Sequence, residues 1–291
     1  MSNLKEIRTR IASVESTQKM TSAMKLVSAA KLRRAQNAIF NFKLYSNKLN
    51  NLLQNISVHS DISGESPLFT VRKPENVVLI AITSNRGLCG AFNMNVIKEV
   101  HRITHEEYAT PLSDGKLQLI CIGNKAVEEL QKTYKIRYHN DFLLEVPTFD
   151  EIAKIVSDLI SDFNAKKIDK IVIVYNHFVN PATQKVTIEL FLPVVRTEKK
   201  VPEKGADFIF EPSQDVLVNE LIPKILKIKL YKTILDSIAA EHGARMTAMS
   251  KATDNAIEIL KDLKLRYNNA RQTAITNELN EIVSGAEALN N

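Results

Sequence analysis

Cysteine, glycine and proline are all scarce in this chain of 291 residues, which holds two Cys, eight Gly and nine Pro. Cys89 and Cys121 sit in apolar surroundings with neither CxxC nor metal-ligand spacing, which argues against a disulfide framework or a zinc site. Two buried free thiols are expected instead. Long apolar runs are also missing. The longest, Val77 to Ile82, falls far short of the ~20 residues a membrane-spanning helix needs, so no transmembrane segment is expected. The opening Met1-Ser2-Asn3-Leu4-Lys5-Glu6 has no apolar signal core and already carries an acid, so the expectation is a mature cytoplasmic chain. With 44% hydrophobic and 25% charged residues, the composition is that of a folded soluble protein rather than a disordered or collagen-like one.

The positions of the few breakers are informative. No Pro precedes Pro67, none follows Pro223, and Gly is absent before Gly64. Both ends are therefore free to form long helices. At the N-terminus Leu4, Ile7, Ile11 and Val14 follow the three-four spacing of a heptad seam. The apolar positions then shift phase through Met20, Met24 and Val27 and resume at Leu32, Ala35, Ile39, Phe42, Leu49, Leu53 and Ile56. This pattern predicts one helix over 2–57, roughly 84 Å long at 1.5 Å per residue. A helix of that length needs a helical partner.

The C-terminal segment supplies one. Leu235, Ala239, His242, Met246, Met249, Thr253, Ala256, Leu260, Leu263, Tyr267, Ala270 and Ala274 alternate four and three without a break. The helix is expected to start near Ser213 and end near Glu287, with Pro223 kinking it or marking a start a turn or two later. Level at the middle segment, the second helix would outrun the first by about 18 residues, or roughly 27 Å. That overhang carries Ala274, Ile275, Leu279, Ile282, Val283, Ala286 and Leu289, an apolar load that something must enclose.

The middle, 58–212, alternates strand and helix signals. Val77 to Thr83, Leu117 to Gly123 and Ile168 to His177 read as strands, and Lys185 to Val194 as a hairpin return. Gly90 to Glu107, Asn124 to Tyr134 and Thr148 to Lys166 read as helices, and Arg196 to Glu211 as loop. The expected fold class is α/β plus long α: an antiparallel coiled coil of N- and C-terminal helices with a central Rossmann-like α/β domain, divided as 1–57, 58–212 and 213–291.

Charge is unevenly spread. Residues 1–50 carry ten Lys or Arg against Glu6 and Glu15, a net of +8 where the whole chain has +6. Nucleic acid, anionic lipid and an acidic protein surface all remain open as partners on charge alone, beside a merely solvated helix face. The Gly turn Ser84-Asn85-Arg86-Gly87-Leu88-Cys89-Gly90 follows a strand and precedes a helix, yet lacks both the Walker lysine and GxGxxG spacing; tight packing explains it better than a nucleotide. His101 and His105 share a helix face without HExxH and read as solvated, while His242 reads as a packed polar residue of the seam. No catalytic constellation, cofactor site or metal site stands out.

Three blocks do carry a resemblance. Ile7 to Gln36 (IRTRIASVESTQKMTSAMKLVSAAKLRRAQ), Thr83 to Asn93 (TSNRGLCGAFN), and Glu241 to Leu289 with ARMTAMSKATDNA and YNNARQTAITNELNEIVSGAEAL resemble the gamma-subunit family of the F-type ATP synthases. Ile275-Thr276, Glu278, Glu281 and Gly285-Ala286 match the family's C-terminal signature, and Asn85 departs from it where Asp is commoner, a change that touches a local turn or cap. The resemblance implies a non-catalytic central rotor shaft standing inside a hexamer of alpha and beta subunits, with its tip in an apolar sleeve. It implies Met24 and Lys25 where the N-terminal helix meets acidic beta loops, and Arg271, Gln272 and Thr276 as the polar contact with a catching loop of beta. The α/β domain and the loop around Phe208 and Phe210 are implied to meet epsilon and the membrane c-ring. On this reading the chain needs no nucleotide, cofactor or nucleic acid. It sits as a peripheral component on the cytoplasmic face of the bacterial cell membrane, and no redox switch is expected.

Overall fold

A computed structural model describes residues 2–58, 67–194 and 214–289. The elements in chain order are α1 (Ser2–Val58), β1 (Val77–Ile82), α2 (Phe92–Glu106), α3 (Ala109–Ser113), β2 (Leu117–Ile122), α4 (Asn124–Leu130), β3 (Lys135–Asn140), α5 (Phe149–Asn164), β4 (Lys170–Asn180), β5 (Thr183–Leu192) and α6 (Gln214–Leu289). Pro223 lies inside α6, which runs through it without interruption. The chain divides into two compact units, one of 1–28 with 246–291 and one of 29–245.

The first unit is a pair of antiparallel helices. Glu15 meets Lys264 at 3.2 Å, the Thr21 and Thr253 hydroxyls lie 2.8 Å apart, and Lys25 Nζ donates to Ser250 Oγ at 3.0 Å. Partner numbers that fall on α6 as they rise on α1 define the antiparallel sense. The α6 seam is the expected one: Met249, Ala256, Leu260 and Leu263 are buried, and Met246, Thr253, Tyr267, Ala270 and Ala274 are half-buried.

The α1 seam differs from the expectation. Met20 and Val27 lie on the outside, 61% and 56% exposed. The inward positions keep the original spacing through Gln18, Thr21, Lys25 and Ser28, and α1 continues in the same phase to Leu32 and Ala35. There is no phase shift. The seam turns polar instead, and its hydroxyls are satisfied locally or across it: Ser28 Oγ donates to the Met24 carbonyl at 2.7 Å.

The second unit is built on a five-stranded sheet in the order β3-β2-β1-β4-β5, parallel except for β5. β1, Val77–Ile82, is buried along its whole length, as a central parallel strand covered on both faces must be. Val77, Leu79 and Ala81 pack with Val96, Val100 and Ile103 of α2, Leu119 and Cys121 of β2, and Ala126 and Leu130 of α4. The amphipathic α5 buries Ile152, Val156, Leu159 and Phe163, the i, i+4, i+7, i+11 stripe of a covering helix. Both cysteines are free and buried. β3 had no counterpart in the sequence reading, and the hairpin strand starts at Thr183 rather than Lys185.

In this unit α6 docks on β4 and β5 by one stripe. Lys229 Nζ donates to the Leu190 carbonyl at 2.7 Å and pairs with Glu189 at 3.1 Å. Seven residues on, Asp236 accepts the Phe178 N–H at 3.3 Å and pairs with His177. Seven further, Gly243 comes so close to the hairpin tip that a Cβ there would lie 3.2 Å from both the Phe178 ring and Pro181 Cα. A spacing of two turns keeps all three on one face.

Candidate functional site

The residues singled out from the sequence do not form one site. Arg271, Gln272 and Thr276 cluster near the end of α6, all exposed, with Thr276 Oγ1 donating to the Gln272 carbonyl at 2.9 Å. Met24 and Lys25 are half-buried on α1, and Lys25 is joined to Ser250. Ser250 precedes Arg271 by 21 positions on α6, a rise of about 32 Å, so the two groups lie far apart along the coil. Phe208 and Phe210 lie outside the described residues.

Beyond Ala274 the partner helix ends, and every residue from Ile275 to Ala286 is exposed. Ile275, Leu279, Ile282 and Val283 are 48%, 57%, 68% and 56% exposed, and their i, i+4, i+7, i+8 spacing makes a continuous apolar stripe. Each such side chain gains about 1.5–3 kcal/mol on full burial, so this is a surface suited to being covered. Lower on the coil, Met20, Leu26 and Val27 of α1 and Ile257, Ile259 and Leu265 of α6 are also exposed. Around them Lys5, Arg8, Arg10 and Lys19 face outward. The α1–α6 ion pair of Glu15 with Lys264 takes its acid, not its base, from α1.

A second polar constellation was not anticipated. Arg245 of α6 is buried, and its guanidinium donates to the Arg86 carbonyl at 2.9 Å, the Gly87 carbonyl at 3.2 Å and Glu241 Oε1 at 2.5 Å. The Gly turn therefore presents carbonyl oxygens to a cation, where a phosphate-binding turn presents N–H groups. Its shape is held by Ser84, whose N–H donates to Asn93 Oδ1 at 2.8 Å and whose hydroxyl donates to the Arg86 carbonyl at 2.7 Å. Asn93 Nδ2 donates to Cys89 Sγ at 3.3 Å, and Cys89 and Phe92 pack with Ala240 and Ala244 of α6. Leu88 adopts φ 63° and is 62% exposed at the apex.

Burial governs the ionisation here. It pushes the Cys89 thiol up, though the Ser84 hydrogen bond and the Arg245 charge pull the other way. It raises Glu241 against the lowering pull of Arg245, and it holds the His242 imidazole down at about 4, helped by repulsion from Arg245 and Lys31. Burial alone pushes Cys121 up to about 12. Thiols held up in this way are poor nucleophiles. Asn85 does serve a cap, as its departure suggested: its Oδ1 accepts from the Asn124 N–H that opens α4 at 3.3 Å, and its Nδ2 donates to the Asp141 carbonyl at 2.8 Å, a bond a carboxylate could not make. His101 is not simply solvated, since its Nδ1 meets the Tyr134 hydroxyl at 2.7 Å. Among the described residues no group of three acidic, His or Cys side chains is placed to hold a metal, and no helix is long and apolar enough to cross a membrane.

The comparisons with known proteins agree with one another over almost the whole chain. A family model described as ATP synthase matches residues 3–289. The ATP synthase gamma chain of Flavobacterium johnsoniae is 52% identical over 291 residues, covering 100% of both chains. That of a Geobacter species is 40% identical over 99% of both. Among solved structures, a chain of the Euglena gracilis mitochondrial ATP synthase OSCP/F1/c-ring aligns with TM-score 0.68 at 20% identity over 99% of this chain and 95% of that one. A chain of the Tetrahymena thermophila central stalk and c-ring aligns with TM-score 0.60 at 22% identity, covering 80% and 99%. These two likenesses speak for the fold, and the closer sequence matches speak for the family: this chain belongs to the ATP synthase gamma chain family.

Proposed function

We propose that this chain is the rotating central shaft of a bacterial F-type ATP synthase, carrying no catalytic centre of its own. Proton flow turns a membrane c-ring, the ring turns this chain, and its asymmetric coil forces each beta site in turn through conformations that bind ADP and phosphate, form ATP and release it. A single asymmetric shaft against three equivalent sites provides the differential contact energy such coupling requires. The observation that carries this reading is the overhang: an apolar stripe from Ile275 to Val283 with no partner helix among the described residues, in a chain 52% identical along its length to an ATP synthase gamma chain. The stripe fits an apolar sleeve formed by the alpha and beta subunits. The outward Lys5, Arg8, Arg10 and Lys19 fit acidic beta loops.

On this reading 1–57 and 213–291 form the shaft and 58–212 the foot, which meets epsilon and the ring through surfaces including Phe208 and Phe210. Met24 and Lys25 form the lower station for beta, and Arg271, Gln272 and Thr276 the upper one. The complex sits on the cytoplasmic face of the membrane, with this chain as a peripheral component. Arg271→Ala tests the upper station. ATP synthesis by the reconstituted complex should fall at least threefold while helical content and thermal midpoint of the isolated chain stay unchanged, because an exposed side chain contributes to the partner and not to the fold. Synthesis at the wild-type rate would remove Arg271 from that role.

A further inference from the structure

In the strand order β3-β2-β1-β4-β5 the chain runs from β1 outward to β2 and β3, then crosses back to β4 on the other side of β1. The place between the carboxyl ends of β1 and β4 is the topological switch point, where doubly wound sheets bind their ligands. In this chain the Gly turn after β1 offers the Arg86 and Gly87 carbonyls, and the Arg245 guanidinium of α6 accepts that offer at 2.9 and 3.2 Å. On β4, two residues past Val174, the last one paired with β1, Asn176 is buried and its Nδ2 donates to the Phe92 carbonyl at 2.9 Å, tying the same corner to the start of α2. The crevice that elsewhere receives a ligand is filled by a side chain of the long helix.

We propose that Arg245 is a positioning residue for torque transfer: its guanidinium, seated in the carbonyl socket of the Gly turn, locks α6 to the α/β domain so that the two turn together. This rests on the rotor function proposed above. Besides the packing of Ala240 and Ala244 on Cys89 and Phe92, α6 meets β5 and the β4–β5 hairpin at Lys229, Asp236 and Gly243. Unlike these last three, Arg245 reaches the sheet's central strand connection, and it is C-terminal to all of them. Three properties suit it to the task. It is buried, so the bonds are shielded from competing water. The planar fork reaches two carbonyls and a carboxylate at once, which fixes rotation about the helix axis as well as distance. The turn is itself braced by Ser84 and Asn93, so it does not yield easily when pulled.

Cys89 reports on the socket directly, because it lies inside the turn and packs on Ala240 and Ala244 of α6, whereas Cys121 is buried in β2 away from it. The experiment compares wild type, Arg245→Ala and Arg245→Lys in the assembled, membrane-reconstituted complex, measuring maleimide labelling of the two thiols together with the ratio of ATP-driven proton pumping to ATP hydrolysis. The expected result is a Cys89 labelling rate raised at least tenfold in Arg245→Ala with Cys121 unchanged, and a pumping ratio lowered at least threefold. Arg245→Lys, which keeps one charged donor, should recover half or more of both. Equal rises at Cys89 and Cys121 would mark general loosening and overturn the proposal, as would wild-type pumping in Arg245→Ala. Should Arg245→Ala not assemble, Arg245→Lys decides by itself: raised Cys89 labelling with a reduced ratio supports the lock, and wild-type values in both overturn it. A wild-type complex that hydrolyses ATP without pumping would instead defeat the rotor reading, so the two failures are distinguishable.

Discussion

His242 shows how one side chain records its surroundings. It lies on the α6 seam, buried, with Arg245 and Lys31 as the charges that face it, and its imidazole is held down at about 4 against an ordinary 6.5. The folded chain therefore keeps it neutral where the unfolded chain protonates it. Unfolding takes up a proton between pH 6.5 and 4, so stability is lost as pH falls through that window. Wild type should lose about 1–2 kcal/mol more than His242→Gln between pH 7 and pH 5, measured by urea unfolding followed by circular dichroism; identical pH dependence would contradict the assignment. Gly123 offers a second test at this scale. Its φ of +105° and the 2.5 Å separation that a Cβ would have from the Thr83 carbonyl oxygen admit no side chain. Gly123→Ala should cost about 2 kcal/mol or more, while Gly87→Ala, with open space around it, should stay within about 0.5 kcal/mol in the same thermal unfolding series.

The coil's polar seam makes its own claim at the scale of elements. The Thr21 and Thr253 hydroxyls meet 2.8 Å apart in the interface. Each hydroxyl also has a carbonyl of its own helix, Gln18 for Thr21 and Met249 for Thr253, so replacing either alone by Val should cost about 1 kcal/mol through loss of the bond between them, and replacing both should cost less than the sum of the two, because that one bond can be lost only once. Additive losses in a double-mutant cycle would mean the hydroxyls act independently. The overhang leads to the opposite expectation. Changing Ile275, Leu279, Ile282 and Val283 to Ser should shift the thermal midpoint of the isolated chain by less than about 2 °C while reducing its binding of a hydrophobic dye, since all four side chains are exposed.

These elements also show what the sequence made legible. Both long helices, the α6 seam and the central strands announced themselves because burial on a fixed period leaves an apolar pattern. β3 did not, because Lys135–Asn140 is an exposed edge strand whose polar residues owe nothing to a core. The α1 seam misled for the reverse reason: Met20 and Val27 are apolar without being inside, and Gln18, Thr21, Lys25 and Ser28 are inside without being apolar. Arg245 was invisible as well. Its partners are backbone carbonyls, which carry no residue signature, and they stand 159 and 158 positions away. Gly243 was the one available hint, a glycine inside a helix where close approach of another segment is the usual reason.

At the scale of the molecule, the two units differ in what they leave unfinished. The unit of 29–245 closes a two-sided core around its sheet, with β1 buried throughout. The unit of 1–28 with 246–291 has a narrow seam and an apolar, basic exterior, and among the described residues its last turns have no partner helix. A helix pair so built is half of an interface. Its complement on the present account is a ring of alpha and beta subunits, and the central claim is that one such chain occupies each ring. Native mass spectrometry of the complex purified after co-expression with alpha and beta subunits from the same source tests that claim most directly. The account predicts one copy of this chain for three alpha and three beta. A hexamer that forms without it, with this chain recovered free or bound instead to nucleic acid through its basic helix, would contradict the account.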